Sequence, residues 1–107
     1  MIEEFNINVS ENDLSNINLK IKNYSWSSIE DMEGWIHGTN KKYLKELCDY
    51  WTADFNWKKH EKLINDFSNF KTNVDGINIH FIEEKGSGKD PKPLLLMHGW
   101  PGSIVEF

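Results

Sequence analysis

The chain is poor in sulfur, in concentrated positive charge and in long apolar runs, and each shortage excludes something. Its one cysteine, Cys48, cannot form an intramolecular disulfide. Cys48 falls in a helical pattern with Leu44, Leu47 and Trp51, which predicts a buried or half-buried reduced thiol. A nucleophilic thiol needs a His partner and an activating environment, and nothing nearby in sequence supplies one. Lys and Arg number 12 against 17 Asp and Glu, a net charge of −5, with the signs interspersed. Without a basic stripe, nucleic acid and anionic membrane surfaces are excluded as partners. No basic stretch with an apolar core follows Met1, and no apolar run nears the roughly 20 residues that cross a bilayer. The expectation is a soluble, cytoplasmic chain with no membrane anchor. Neither His-Glu-x-x-His nor Cys-x-x-Cys occurs, and His37 and His60 have no Cys or carboxylate at ligand spacing, so no metal site is expected. Internal repeats and low-complexity tracts are also absent.

What is present is aromatic. Hydrophobic residues make up 38% of the 107 residues and aromatics 13%, with five tryptophans. That suffices for one small domain and argues against disorder. Phe5-Asn6-Ile7-Asn8-Val9 alternates as an extended segment does. Ser10 precedes Asp13 by three residues, an approximate capping box, and Leu14, Ile17, Ile21 and Tyr24 follow at helical spacing. A first helix is predicted over about 11–22. Residues 23–39, with Trp26 and Trp35, read as an aromatic-anchored meander. Thr39 or Asn40 can cap a second helix carrying Tyr43, Leu44, Leu47, Tyr50 and Trp51 on one face. Asn56 can cap a third, with Trp57, His60, Ile64 and Phe67 sharing a face.

The period then changes from helical to two. Residues 70–74, Asp75-Gly76 and residues 77–83 predict a hairpin, because Asp-Gly supplies the positive φ angles of a type I′ turn. Ile77, Ile79 and Phe81 face one way; Asn78, His80 and Ile82 face the other. After a Gly86-Ser87-Gly88 loop comes Pro93-Leu94-Leu95-Leu96-Met97, which reads as a parallel strand buried on both faces. Only Ile104–Phe107 follow the next turn, so a crossover and partner strand are wanting and an incomplete sheet is expected. The fold class is α/β: a helical domain over 1–69, then the first strands of an α/β sheet over 70–107.

The strand is followed by His98-Gly99-Trp100-Pro101-Gly102-Ser103. A turn at the carboxyl edge of an open α/β sheet is where such folds bind ligands. It can aim a backbone N–H at an oxygen that becomes negative during reaction. Gly99 permits close approach and Pro101 has no N–H, which leaves the Trp100 N–H as donor and its ring as an apolar wall. Ser103 lacks a Gly-x-Ser-x-Gly elbow and reads as a helix cap. Asp75 is accounted for by its turn. His80, on an alternating strand, reads as a satisfied, partly buried histidine, and Trp26, Trp35, Trp51 and Trp57 read as packing anchors.

The run from Lys92 through His98-Gly-Trp-Pro-Gly-Ser103 to Glu106-Phe107 resembles the oxyanion-hole segment of α/β-hydrolase epoxide hydrolases. The similar branch is the microsomal type, which includes juvenile-hormone epoxide hydrolases. Tyr43-Leu44 through Tyr50-Trp51, Phe55-Asn56-Trp57 with Glu61, Leu63 and Asn65, and Phe70-Lys71-Thr72 through Asp75-Gly76 to Ile79-His80-Phe81-Ile82 resemble upstream parts of the same branch. The resemblance spans about 5–107. It implies addition of water to a small-molecule epoxide, through an aspartyl ester hydrolysed by a His–acid pair, with two lid tyrosines and no cofactor or metal. Nucleophile, base, acid and lid tyrosines would all lie beyond the matched region. Only Trp100 carries over, framed by His98, Gly99 and Pro101, and His98 is implied to brace the turn rather than act as base. The resemblance further implies a chain inactive alone. Leu94, Leu95, Leu96 and Ile104, with no sheet neighbours or outer helices to cover them, predict marginal stability and an apolar edge prone to association. Another α/β-hydrolase (dehalogenase or esterase) shares His-Gly-X-Pro, and a non-catalytic binding or regulatory module also stays open.

Overall fold

A computed structural model describes residues 1–107. Three strands, β1 (Ile2–Glu4), β2 (Asn69–Val74) and β3 (Ile77–Ile82), form an antiparallel sheet in the order β1-β2-β3. Three helices, α1 (Glu11–Lys22), α2 (Lys41–Ala53) and α3 (Trp57–Asn65), lie between β1 and β2 in sequence. The chain packs as two units, Met1–Asn8 with Lys58–Phe107, and Val9–Trp57. Residues 58–69 therefore pack in the same unit as the hairpin.

In the first unit, the hairpin forms as its turn dictates. Asp75 has φ 51° and Gly76 φ 85°, the left-handed pair that a type I′ turn requires. Asn73 accepts from the Gly76 N–H at 3.0 Å and donates to Asn78 at 2.9 Å. The register pairs Phe70 with Phe81, Lys71 with His80 and Thr72 with Ile79. Phe70 and Phe81 stack at 5.6 Å on the apolar face, while Lys71 and His80 lie on the polar one.

Two sequence expectations fail here. The sheet contains no parallel strand, and β1, which the sequence reading left unassigned, pairs with β2 through Ile2↔Thr72, Glu3↔Lys71 and Glu4↔Phe70. The charges of Glu3 and Glu4 conceal β1, because an edge strand tolerates charge that a central one does not. The Phe5 N–H extends the pairing to the Asn69 carbonyl at 2.9 Å, and residues 5–9 alternate half-buried and exposed as predicted. The run Pro93–Met97 is neither paired nor buried: Leu94 is 79% exposed and Leu95 80%. A central parallel strand needs neighbours on both edges and layers on both faces. No strand of this chain pairs with it.

Helix α3 stops at Asn65, short of Phe67, which is exposed rather than on a shared helical face. Side-chain amides take over there. Asn65 accepts from the Ile7 N–H at 2.9 Å and donates to the Ile7 carbonyl at 2.8 Å, so it pairs with that backbone as another peptide would.

In the second unit, α1 starts where predicted. Ser10 Oγ accepts from the Asp13 N–H at 3.1 Å and donates to the Asp13 carboxylate at 2.6 Å. Asn40, not Thr39, caps α2, accepting from the Tyr43 N–H at 3.0 Å. Helices α1 and α2 touch. The meander is held by Tyr24 edge-on to Trp26 and by Trp35 tilted against Tyr43, each pair at 5.0 Å. The half-buried stripe of α2 is Leu44, Cys48 and Thr52, and the predicted face of Tyr43, Leu47, Tyr50 and Trp51 stays largely open.

No hydrophobic residue is fully buried; the two buried side chains are Glu61 and Asn69. The accessible surface is 9575 Å², where a compact monomer of this mass exposes about 6,200 Å². Much apolar surface therefore stays in water.

Candidate functional site

The first unit holds its polar groups in a closed set around Asn69, which is 5% exposed. Asn69 Nδ2 donates to the Ile64 and Phe67 carbonyls, each at 2.8 Å. Both amide hydrogens are thereby committed, so Asn69 Oδ1 can only accept, and the His80 Nε2–H donates to it at 2.9 Å. This fixes the proton of neutral His80 on Nε2. The His80 ring meets the Phe5 ring edge-on at 5.1 Å, and the Lys71 ammonium lies 3.5 Å over the same Phe5 ring. Burial, and then the positive charge of Lys71, hold the His80 pKa below its ordinary value. The cluster ties the end of α3 to the hairpin. Its members are mutually satisfied, which is the arrangement of a scaffold.

The turn at 98–103 is arranged differently. The Gly99 carbonyl accepts twice, from the Gly102 N–H at 2.8 Å and from His98 Nδ1 at 2.9 Å. A carbonyl only accepts, so His98 Nδ1 carries a proton and the ring closes over its own turn. The Trp100–Pro101 peptide bond is cis, which makes Gly99–Gly102 a turn of the class with cis-proline at its third position. Pro101 offers no N–H, and the Gly102 N–H is spent on Gly99. The Trp100 N–H makes no hydrogen bond within the chain. Ser103 Oγ accepts from the Val105 N–H at 3.4 Å and starts a 3₁₀ turn over Ile104–Glu106.

The structure thus brings His98, Gly99, Trp100 and Pro101 into one turn. It does not surround them with a pocket: Trp100 is 94% exposed, so the ring walls nothing within this chain. Two depressions lie elsewhere, one of about 260 Å³ bordered by Ile29, Met32, His37 and Lys41 and one of about 530 Å³ bordered by Phe5, Phe67 and Phe70. Cys48 is half-buried in α2, and Asp75 occupies the hairpin turn. No three His, Cys, Asp or Glu side chains group as a metal would need, and no helix is long and apolar enough to cross a membrane. Sequence reading passed over Asn69; its parity with Lys71, across from His80, was the available signal.

Residues 2–107 match the family model described as "Epoxide hydrolase N terminus". Over 99% of its length the chain is similar to epoxide hydrolase 1 of Oryctolagus cuniculus (36% identity) and to juvenile hormone epoxide hydrolase 1 of Ctenocephalides felis (34%), covering 24% of each. The whole chain superposes on juvenile hormone epoxide hydrolase from the silkworm Bombyx mori with TM-score 0.87 and 34% identity, covering 26% of that chain. On the epoxide hydrolase of Aspergillus niger the TM-score is 0.85 at 25% identity, covering 29%. The chain spans about a quarter of the length of these relatives, and the region matched is the N-terminal part of an α/β-hydrolase fold.

Proposed function

The chain belongs to the epoxide hydrolase N-terminus family, and from that premise we propose that it supplies the oxyanion donor of an epoxide hydrolase. In this reading residues 1–69 are the helical N-terminal domain and residues 70–107 open the catalytic domain. The remainder of the hydrolase fold covers Leu94–Met97 and walls Trp100. The observation that carries the proposal is the Trp100 N–H. It is left without a partner beside the equally unpaired Gly99 N–H, in a turn where the Gly102 N–H is spent on Gly99 and Pro101 has none.

The chemistry follows from that one group. A carboxylate of the complementary part attacks an epoxide carbon; the ring C–O bond breaks and its oxygen takes a proton. Water then adds to the acyl carbon of the resulting ester, giving a tetrahedral oxyanion, and collapse releases a vicinal diol. The net change is addition of water, with no change in oxidation state. The oxyanion is where a preorganised N–H donor acts, and such a donor is worth about 10²–10³ in kcat. The 107 residues alone contribute a donor without a nucleophile and are inactive by themselves.

The test joins residues 1–107 to the remaining three-quarters of the Oryctolagus cuniculus relative and assays an aryl epoxide beside the isolated chain. The chimera is expected to form diol and the isolated chain none. Saturable diol formation by the isolated chain, or a folded chimera that forms no diol, would overturn the proposal.

A further inference from the structure

Ser103-Ile104-Val105-Glu106 has the spacing of a capping box, in which a carboxylate three residues after the cap reaches back towards it. The bonds differ from a closed box: Ser103 Oγ accepts from the Val105 N–H, the Glu106 N–H donates to the Ser103 carbonyl at 3.2 Å, and the Glu106 carboxylate accepts no hydrogen bond from the Ser103 N–H. The Glu106 carboxylate folds back over Gly102. A Cβ placed on residue 102 would overlap one of its oxygens and lie 2.5 Å from the carboxyl carbon. Gly102 is also the residue whose N–H closes the turn onto Gly99.

We propose that Glu106 is a positioning residue: its carboxylate, seated where a side chain at 102 would stand, holds the Gly99–Gly102 turn and so the direction of the Trp100 N–H. Two closures join Gly99 to the rest of the turn, the Gly102 N–H and the His98 ring, while Trp100 itself touches little. A back-folded side chain at 106 abuts the residue that makes the first closure. Glycine at 102 is then required by the contact rather than by backbone conformation. Because the role is reach and not charge, glutamine serves at 106 and alanine does not.

The importance of this contact for catalysis rests on the role proposed for Trp100, but its test does not. In the ¹⁵N-labelled chain, the Trp100 amide shift and the exchange rate of the Gly102 N–H are read in E106A, E106Q, G102A and the double variant G102A/E106A. The hairpin amides of Thr72 and His80 report that the first unit is still folded. E106A is expected to move the Trp100 amide and speed Gly102 exchange about fivefold through easier local opening, while E106Q stays near the parent. G102A displaces the carboxylate, so adding E106A to it changes little further. An unchanged Trp100 amide in E106A, or effects of G102A and E106A that simply add, would overturn the proposal. An inactive chimera that still shows the coupling would count against the catalytic reading alone.

Discussion

The β2–β3 hairpin with the end of α3, and residues 91–103, answer the same physical requirement in opposite ways. In the first region Asn69, Asn65, Asn73 and His80 give backbone and side-chain polar groups internal partners. In the second, residues 91–98 make no backbone hydrogen bond with the rest of the chain, and Leu94–Met97 stand in water. The first region is a scaffold that needs nothing further to hold its local geometry. The second carries apolar side chains and a free Trp100 N–H whose natural partners are groups of other residues or of a ligand. Satisfied polar groups thus mark the frame, and the unsatisfied ones are where the proposed function places the working edge.

The contrast is broken most severely at Asn69. Asn69→Ala strips partners from two carbonyls and from the His80 Nε2–H in a buried site, at a cost of about 2–4 kcal/mol. Urea unfolding followed by hairpin amide signals is expected to show a midpoint shifted sharply down or lost; an unchanged midpoint would mean the polar set is decorative.

A smaller effect comes with acid. The folded pKa of His80 is held below the unfolded value by burial and by Lys71, and Glu3 lies beyond Lys71 in the same cross-strand row. The folded state therefore binds fewer protons than the unfolded state near the ordinary histidine pKa. The stabilisation is complete above that pKa and is lost as pH falls through the lowered folded one. Hairpin stability is expected to decline from pH 7.5 towards 5, and H80Q, which keeps an N–H donor, should flatten that part of the profile.

The smallest effect belongs to the open segment. Leu95→Lys is expected to change the unfolding free energy of the isolated chain by less than about 0.5 kcal/mol, since the side chain touches little. The same substitution should sharply reduce the yield of folded chimera, where a cover over 94–97 is expected. Equal tolerance in both settings would erase the distinction between the two regions.

Local features were the legible part of the fold. Ser10 and Asn40 as caps, the bounds of α1, the Asp75-Gly76 turn and the two faces of β3 all follow from short-range geometry, and sequence spacing reports that geometry directly. Pairings over long separations were not legible. Glu3 and Glu4 conceal β1, whose partners lie some seventy residues on, and Asn69 acquires its role only when α3 and β3 reach it from opposite sides. Pro93–Met97 shows the converse case: its composition specifies a buried strand, but burial is a property of neighbours, and none is present. At the turn, the residues that frame the Trp100 N–H were legible because each acts through its own backbone or ring. A pocket beside Trp100 was not, because a pocket needs side chains from several elements and Trp100 meets almost none within this chain.

The decisive measurement concerns that N–H alone. In the chimera, replacing the Gly99–Trp100 amide by an ester through semisynthesis deletes the donor and keeps the indole. Diol formation is expected to slow about 10²–10³-fold in kcat, with the KM for the epoxide little changed. An ester variant as fast as the parent would contradict the assignment of Trp100 as the oxyanion donor.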